Sequence, residues 1–226
     1  MNTQIMQFIY SIPAPLHYFL LIPAALFALT LHEFCHGFAA YKLGDPTAKI
    51  FGRLSMNPLR HLDPIGAVCM VFFHVGWERP VPINARYFRN PKRDMAITAV
   101  AGPISNIVIS FLCVPVYLLI IRITADMVLS SLAVKVVGII LYLFSLSHIL
   151  NLGLGLFNLI PIPPLDGSRI FLAFLPSKWY FKVMIYERYI ALVLIILVYL
   201  GSFSGFISGA VSFISDLMFN AFSFIT

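Results

Sequence analysis

Charge is what this sequence has least of. Only 11% of its 226 residues are Asp, Glu, Lys or Arg, while 60% are hydrophobic. An ordinary soluble domain carries roughly a quarter charged residues, so a water-facing surface over most of the chain is excluded. Cysteine is scarce too. Cys35, Cys69 and Cys113 are odd in number and scattered through apolar contexts, and no CxxC pair exists. A disulfide framework and a cysteine-based zinc site are both unsupported. The N-terminus has no basic region, and Pro13, Pro15 and Pro23 interrupt the first apolar run, so no cleavable signal peptide is expected. No convincing internal repeat is present.

What remains is long, uncharged and apolar. A membrane-crossing helix needs roughly 20 mostly apolar residues. Met1–His32, Met95–Ile121, Val136–Leu165 and Tyr189–Ser215 contain no Asp, Glu, Lys or Arg at all. The expected fold is therefore an all-α polytopic membrane protein, a helical bundle of about 4–6 transmembrane segments. The whole chain, 1–226, reads as one membrane-embedded domain. Its spans fall at about 16–41, 95–121, 136–159 and 189–203, with a further one possible at 206–224. Residues 1–15 read as a short interfacial or re-entrant segment.

The net charge of +6 follows the loops. Basic residues cluster in Lys42–Asp94 and again at Arg169, Lys178, Lys182 and Arg188. By the positive-inside rule both segments face the cytoplasm of a bacterial cell membrane, and nucleic acid is not the expected partner. Lys42–Asp94 also carries Ile65–Gly76, which is mostly apolar, includes His74 and is too short to span. It reads as a re-entrant hairpin. In "RPVPIN", 79–84, the prolines favour extended backbone.

Against this background "TLHEFCHGF", residues 30–38, stands out. His32 and His36 are four apart, so on a helix they lie about 40° apart in projection and can reach one metal ion. Glu33 lies beside them, within reach of a water molecule on that metal. HExxH supplies two zinc ligands and a general base. Histidines at this spacing also occur as packing groups. That alternative weakens inside an apolar span, where a charged residue costs roughly 2.5–3.5 kcal/mol on insertion scales. His32 lies ten residues before Lys42, so the metal would sit about 15 Å below the helix end.

A catalytic zinc site needs a third protein ligand. Asp166 closes the third apolar run after Pro161, Pro163 and Pro164, which break the helix there. The topology brings it to the same side as His32 and His36. An Asp-Gly turn at a helix exit explains it equally well.

"HEFCH" at 32–36 followed by "NLIPIPPLDG" at 158–167 resembles the site-2 protease family of intramembrane zinc metalloproteases, peptidase family M50. The resemblance extends through "GDPTAKIFGRLSMNPLRHLDPIG", "RPVPIN" and "NPKRDMAITAVAGPISN" and is closest to a short bacterial branch without PDZ or CBS domain. It implies His32, His36 and Asp166 as ligands of one Zn²⁺ and Glu33 as the catalytic base. It also implies Asn158 as a group that positions the substrate or stabilises the oxyanion. Asn106 is a weaker candidate for that role, with interhelical hydrogen bonding as its alternative. The implied partners are a transmembrane protein or peptide substrate and the lipid bilayer. Lys49–Asn57 or Arg79–Asn84 could capture an unwound substrate by edge pairing. The competing class is a metal-binding membrane protein or transporter with the same ligands and no hydrolysis. Transporters of that kind often show inverted repeats. His61, His74 and His17 read as structural or solvated groups, and His148 reads equally as an interhelical hydrogen bond or a functional group.

Overall fold

The computed structural model describes residues 2–63, 65–66 and 79–225. Its helices are α1 (Thr3–Tyr10), α2 (Ala14–Lys42), α3 (Thr47–Ile50), α4 (Pro91–Thr124), α5 (Ser131–Asn158), α6 (Asp166–Ala173), α7 (Ser177–Tyr199) and α8 (Ser204–Ala221). There is no strand among the described residues. By length and composition α2, α4 and α5 can each cross a membrane, and α7 and α8 pass the same test only as a pair bent by 78°. The chain is an all-α polytopic membrane protein with three such helices, or four if the bent pair is one span. Four is the low end of the expected number. The hairpin expected at Ile65–Gly76 lies, beyond its first two residues, outside the described residues, and so do Cys69 and His74.

The bundle is inverted relative to a soluble one. On α4, Thr98, Gly102, Asn106 and Ser110 recur at a spacing of four and are buried. Ile104, Val108, Leu112 and Leu119 are exposed. Lipid is as apolar as leucine and gives no drive to bury leucine. Helices in a bilayer therefore meet through small residues and interhelical hydrogen bonds. The stripe on α4 does both. Asn106 donates to Asn151 Oδ1 on α5 (3.2 Å) and to the Ala28 carbonyl on α2 (3.3 Å). Ser110 Oγ lies 2.8 Å from His148 Nδ1. His148 Nε2 in turn meets Ser215 Oγ of α8 at 2.9 Å, so the interhelical reading of His148 matches its geometry. α2, α4 and α5 pack on one another, α6 lies against α4, and α8 against α5.

At the N-terminus, α1 is capped by Asn2, whose Oδ1 accepts from Gln4 N–H at 3.2 Å. It lies along α5 with Ile5 fully buried. Residues 3–10 are thus a packed helix of the bundle. His17 Nδ1 lies 2.6 Å from Tyr142 Oη, so this histidine also joins two helices.

α5 ends at Asn158 because three prolines follow within six residues, and a residue before proline avoids the helical region. The chain turns through 159–165 and restarts as α6 at Asp166. Gly167 makes this turn possible: a Cβ there would stand 2.1 Å from the Leu159 carbonyl oxygen.

The polar segment after α2 corrects one expectation. Lys49 and Ile50 close α3 and turns follow, so Lys49–Asn57 is not extended. Residues 79–84 form a strap that is neither helix nor strand.

Candidate metal centre

His32 and His36 project from one face of α2, one turn apart and buried. Their Nε2 atoms are 3.0 Å apart, and each is 3.1 Å from Asp166 Oδ2. α6 presents Asp166 from its first turn, so the proline break sets the position of this carboxylate. Among the described residues His32, His36 and Asp166 are the group that could hold a metal ion. Cys35, in the same turn of α2, is not part of it.

The outer hydrogen bonds decide the tautomers. His36 Nδ1 lies 2.7 Å from the Thr98 carbonyl oxygen of α4. A carbonyl only accepts, so Nδ1 carries the proton. His32 Nδ1 lies 3.2 Å from Asn106 Oδ1. The Asn106 amide nitrogen already donates to Ala28 and Asn151, which leaves its oxygen facing His32. Both neutral imidazoles then direct an Nε2 lone pair inward, toward a carboxylate oxygen. Three acceptors facing one another repel, and a cation between them converts repulsion into ligation. Tetrahedral zinc with donors at about 2.0–2.1 Å sets its ligand atoms about 3.3 Å apart. The observed edges of 3.0–3.1 Å are close to that. The donor set therefore fits zinc, and each histidine has the outer-shell acceptor that such ligands characteristically use.

Glu33 is buried beside the histidines. Its Oε2 accepts from Val81 N–H of the strap at 2.7 Å. Its Oε1 makes no hydrogen bond among the described residues. Glu33, His32 and His36 line a cavity of about 480 Å³, together with Asn158, Asp166 and Arg169. Val81, Ile83, Met95, Ala99 and Leu165 make its apolar wall. Asn158 faces the cavity but is not joined to the triad: its amide donates to Leu154 of its own helix at 3.1 Å. Asn106 holds His32 and joins three helices, in agreement with the interhelical alternative. His61 is buried, with Nε2 2.7 Å from the Ser55 carbonyl, a structural contact.

Three site groups escape the sequence. Thr98 and Val81 act through the backbone and leave no side-chain signature. Gly102 matters because a Cβ there would lie 2.4 Å from His36 Nε2 and 2.8 Å from His32 Cε1. Its one signal is a glycine within a helical apolar run, which points to close packing. The strap also has little edge to offer. Pro80 and Pro82 have no N–H. Those of Arg79, Val81 and Asn84 go to His61, Glu33 and Asp45. Only Ile83 N–H remains for pairing with another chain among the described residues.

Residues 20–204 match the model of the family described as Peptidase family M50. The chain is 38% identical over 177 residues to "Putative zinc metalloprotease YwhC" of Bacillus subtilis, covering 78% of each chain. It is 29% identical over 158 residues to "Putative zinc metalloprotease Rip2" of Mycolicibacterium smegmatis, 66% of this chain and 55% of that one. With the protein of the same name from Mycobacterium tuberculosis H37Rv the identity is 26% over 205 residues, 88% of this chain and 73% of the other. No solved structure matches. A family match over most of the length, around a His–His–Asp set whose histidines are buried and which has an adjacent glutamate, makes this chain a member of peptidase family M50.

Proposed function

We propose that this protein is an intramembrane zinc metalloprotease that hydrolyses peptide bonds within or near transmembrane helices of other membrane proteins. The observation that carries the reading is the convergence of His32 Nε2, His36 Nε2 and Asp166 Oδ2 beside the Glu33 carboxylate. Family membership and the relatives' names support zinc-dependent proteolysis. His32, His36 and Asp166 would hold one zinc ion per chain. A set of three protein donors is that of catalytic rather than structural zinc sites. Bound zinc supplies a Lewis acid that polarises a carbonyl and lowers the pKa of water toward neutrality.

The chain's own residues do the rest. Glu33 takes a proton from the attacking water through Oε1 and passes it to the leaving amine. The Val81 N–H keeps Oε2 occupied and the carboxylate aimed. The Nδ1 bonds to Asn106 and Thr98 lock the two rings. Asn158 offers the substrate backbone a polar group, and the apolar wall receives its side chains. Detergent-solubilised protein is expected to cleave a transmembrane peptide, to stop when chelated to zinc-free protein, and to recover with one zinc per chain. One zinc per chain without cleavage of any transmembrane peptide would favour the non-hydrolytic alternative.

The protein sits in a bacterial cell membrane with the site opening to the cytoplasm, as the basic residues of Lys42–Asp94 and Arg169–Arg188 indicate. An Arg89→Cys substitution, made after the native cysteines are replaced, is expected to react with an impermeant maleimide only in inverted vesicles. Labelling of intact cells would reverse the topology.

A further inference from the structure

Two buried charged residues near the site are hydrogen-bonded to one and the same segment. Asp45 is fully buried and Arg53 is 9% exposed. Buried charges are costly unless they are compensated by partners and hydrogen bonds. Here part of that compensation comes from the backbone of residues 79–84. Asp45 Oδ2 accepts from Asn84 N–H at 2.7 Å, and its Oδ1 takes the Thr47 N–H and hydroxyl. The Arg53 guanidinium donates to the carbonyls of Arg60, Arg79 and Pro80. The strap is therefore clamped at both ends, by an arginine at 79–80 and an aspartate at 84. Between the clamps lies Val81, whose N–H holds Glu33.

We propose that Asp45 and Arg53 are positioning residues for Glu33, acting through the strap. None of the hydrogen bonds described for them goes to His32, His36 or Asp166. Each fixes where the Val81 N–H points, and that N–H selects which carboxylate oxygen of Glu33 is free. Glu33 belongs to α2 while its only hydrogen-bond donor among the described residues belongs to the strap. The base is thus aimed by an element separate from the one that carries the ligating histidines. A residue that aims the base should affect turnover and leave substrate affinity and metal content alone. The inference rests on the reading of Glu33 as the base.

The test uses Asp45→Asn, Arg53→Gln and the milder Arg53→Lys, which keeps charge and stem but not the fork that spans two carbonyls. Expected is a fall in kcat of about 10–100-fold, part of what a positioned base contributes, with KM within about twofold and one zinc per chain. In zinc-free protein, hydrogen exchange of the peptide covering 79–84 should speed up in all three variants, with exchange of α4 and α5 unchanged. Glu33→Asp supplies the second background. One methylene shorter, its carboxylate withdraws from Val81, so the clamp variants should add less than about threefold there. Strap exchange as slow as wild type, wild-type kcat, or losses that multiply fully in the Glu33→Asp background would each overturn the proposal. Should Asp45→Asn fail to fold, the Arg53→Lys kinetics and exchange decide alone. If Glu33→Gln turns over at the wild-type rate, the base assignment itself falls. If Glu33→Asp is impaired and the clamp variants are not, the positioning inference falls and the base assignment stands.

Discussion

Glu33→Gln is expected to keep one zinc per chain and to lose roughly 10²–10⁴-fold in cleavage of a transmembrane peptide, the range for a general base. That is about 3–5.5 kcal/mol of barrier at roughly 1.4 kcal/mol per tenfold. The substitution is nearly isosteric. A glutamine Oε1 still accepts from Val81 N–H in place of the 2.7 Å bond seen for Glu33, so the strap and cavity wall keep their places. The other end becomes an NH₂ group, a donor with no basicity, in the position that faces the water. Metal content is the discriminating control. His32, His36 and Asp166 are untouched, and the Nδ1 bonds to Asn106 and Thr98 do not involve Glu33. Loss of zinc along with activity would make Glu33 a structural support of the metal centre. Full cleavage with zinc retained would remove the hydrolytic mechanism described above.

Much of this was legible in the sequence, for identifiable reasons. Uncharged runs longer than a bilayer is thick announced the fold class, because the cost of charge in hydrocarbon is a property of side chains. HExxH was legible because its geometry is local: two residues on one helix face. Asp166 was only half legible. Its motif suited an Asp-Gly turn and a metal ligand alike; the chain turns before it, through 159–165, and Asp166 and Gly167 open α6. The structure places the same carboxylate oxygen 3.1 Å from both histidines, so the turn is what delivers it. Asn106 could be read only as one of two alternatives, since an amide reports nothing about which helix it faces. At the C-terminus two short spans, or one span with an interfacial helix, could both be read. There Gly201 takes a positive φ of 73° and α7 bends into α8, so two apolar stretches pass as one broken unit. Thr98 and Val81 were invisible. The site uses their peptide groups, which every residue has.

Gly102→Ala is the sharpest test of the packing around the metal centre, because two effects of the same substitution have opposite signs. In a helix interior, replacing glycine by alanine ordinarily stabilises by about 0.5–1 kcal/mol through backbone entropy. At position 102 the added Cβ would meet His36 Nε2 at 2.4 Å and His32 Cε1 at 2.8 Å. Overpacking typically costs about 1–3 kcal/mol, enough to outweigh the entropy. The atom struck is also a proposed ligand. In zinc-free protein the rings can swing away, and the stability change should be small. In the zinc-bound state they cannot, so the cost should fall on metal binding. Loss of an outer-shell partner lowers metal affinity about 10–100-fold; displacement of Nε2 itself should cost at least as much. Competition with a calibrated chelator reads the affinity directly. The rise in unfolding temperature on adding zinc should shrink in parallel, since ligand stabilisation follows affinity. Gly153→Ala, with nothing within 4 Å of the added Cβ, is the matched control, expected to keep wild-type zinc affinity and to gain slightly in stability. Equal zinc affinity in Gly102→Ala and wild type would mean that α4 does not close on the histidines, and the Thr98 contact to His36 would have to be abandoned with it.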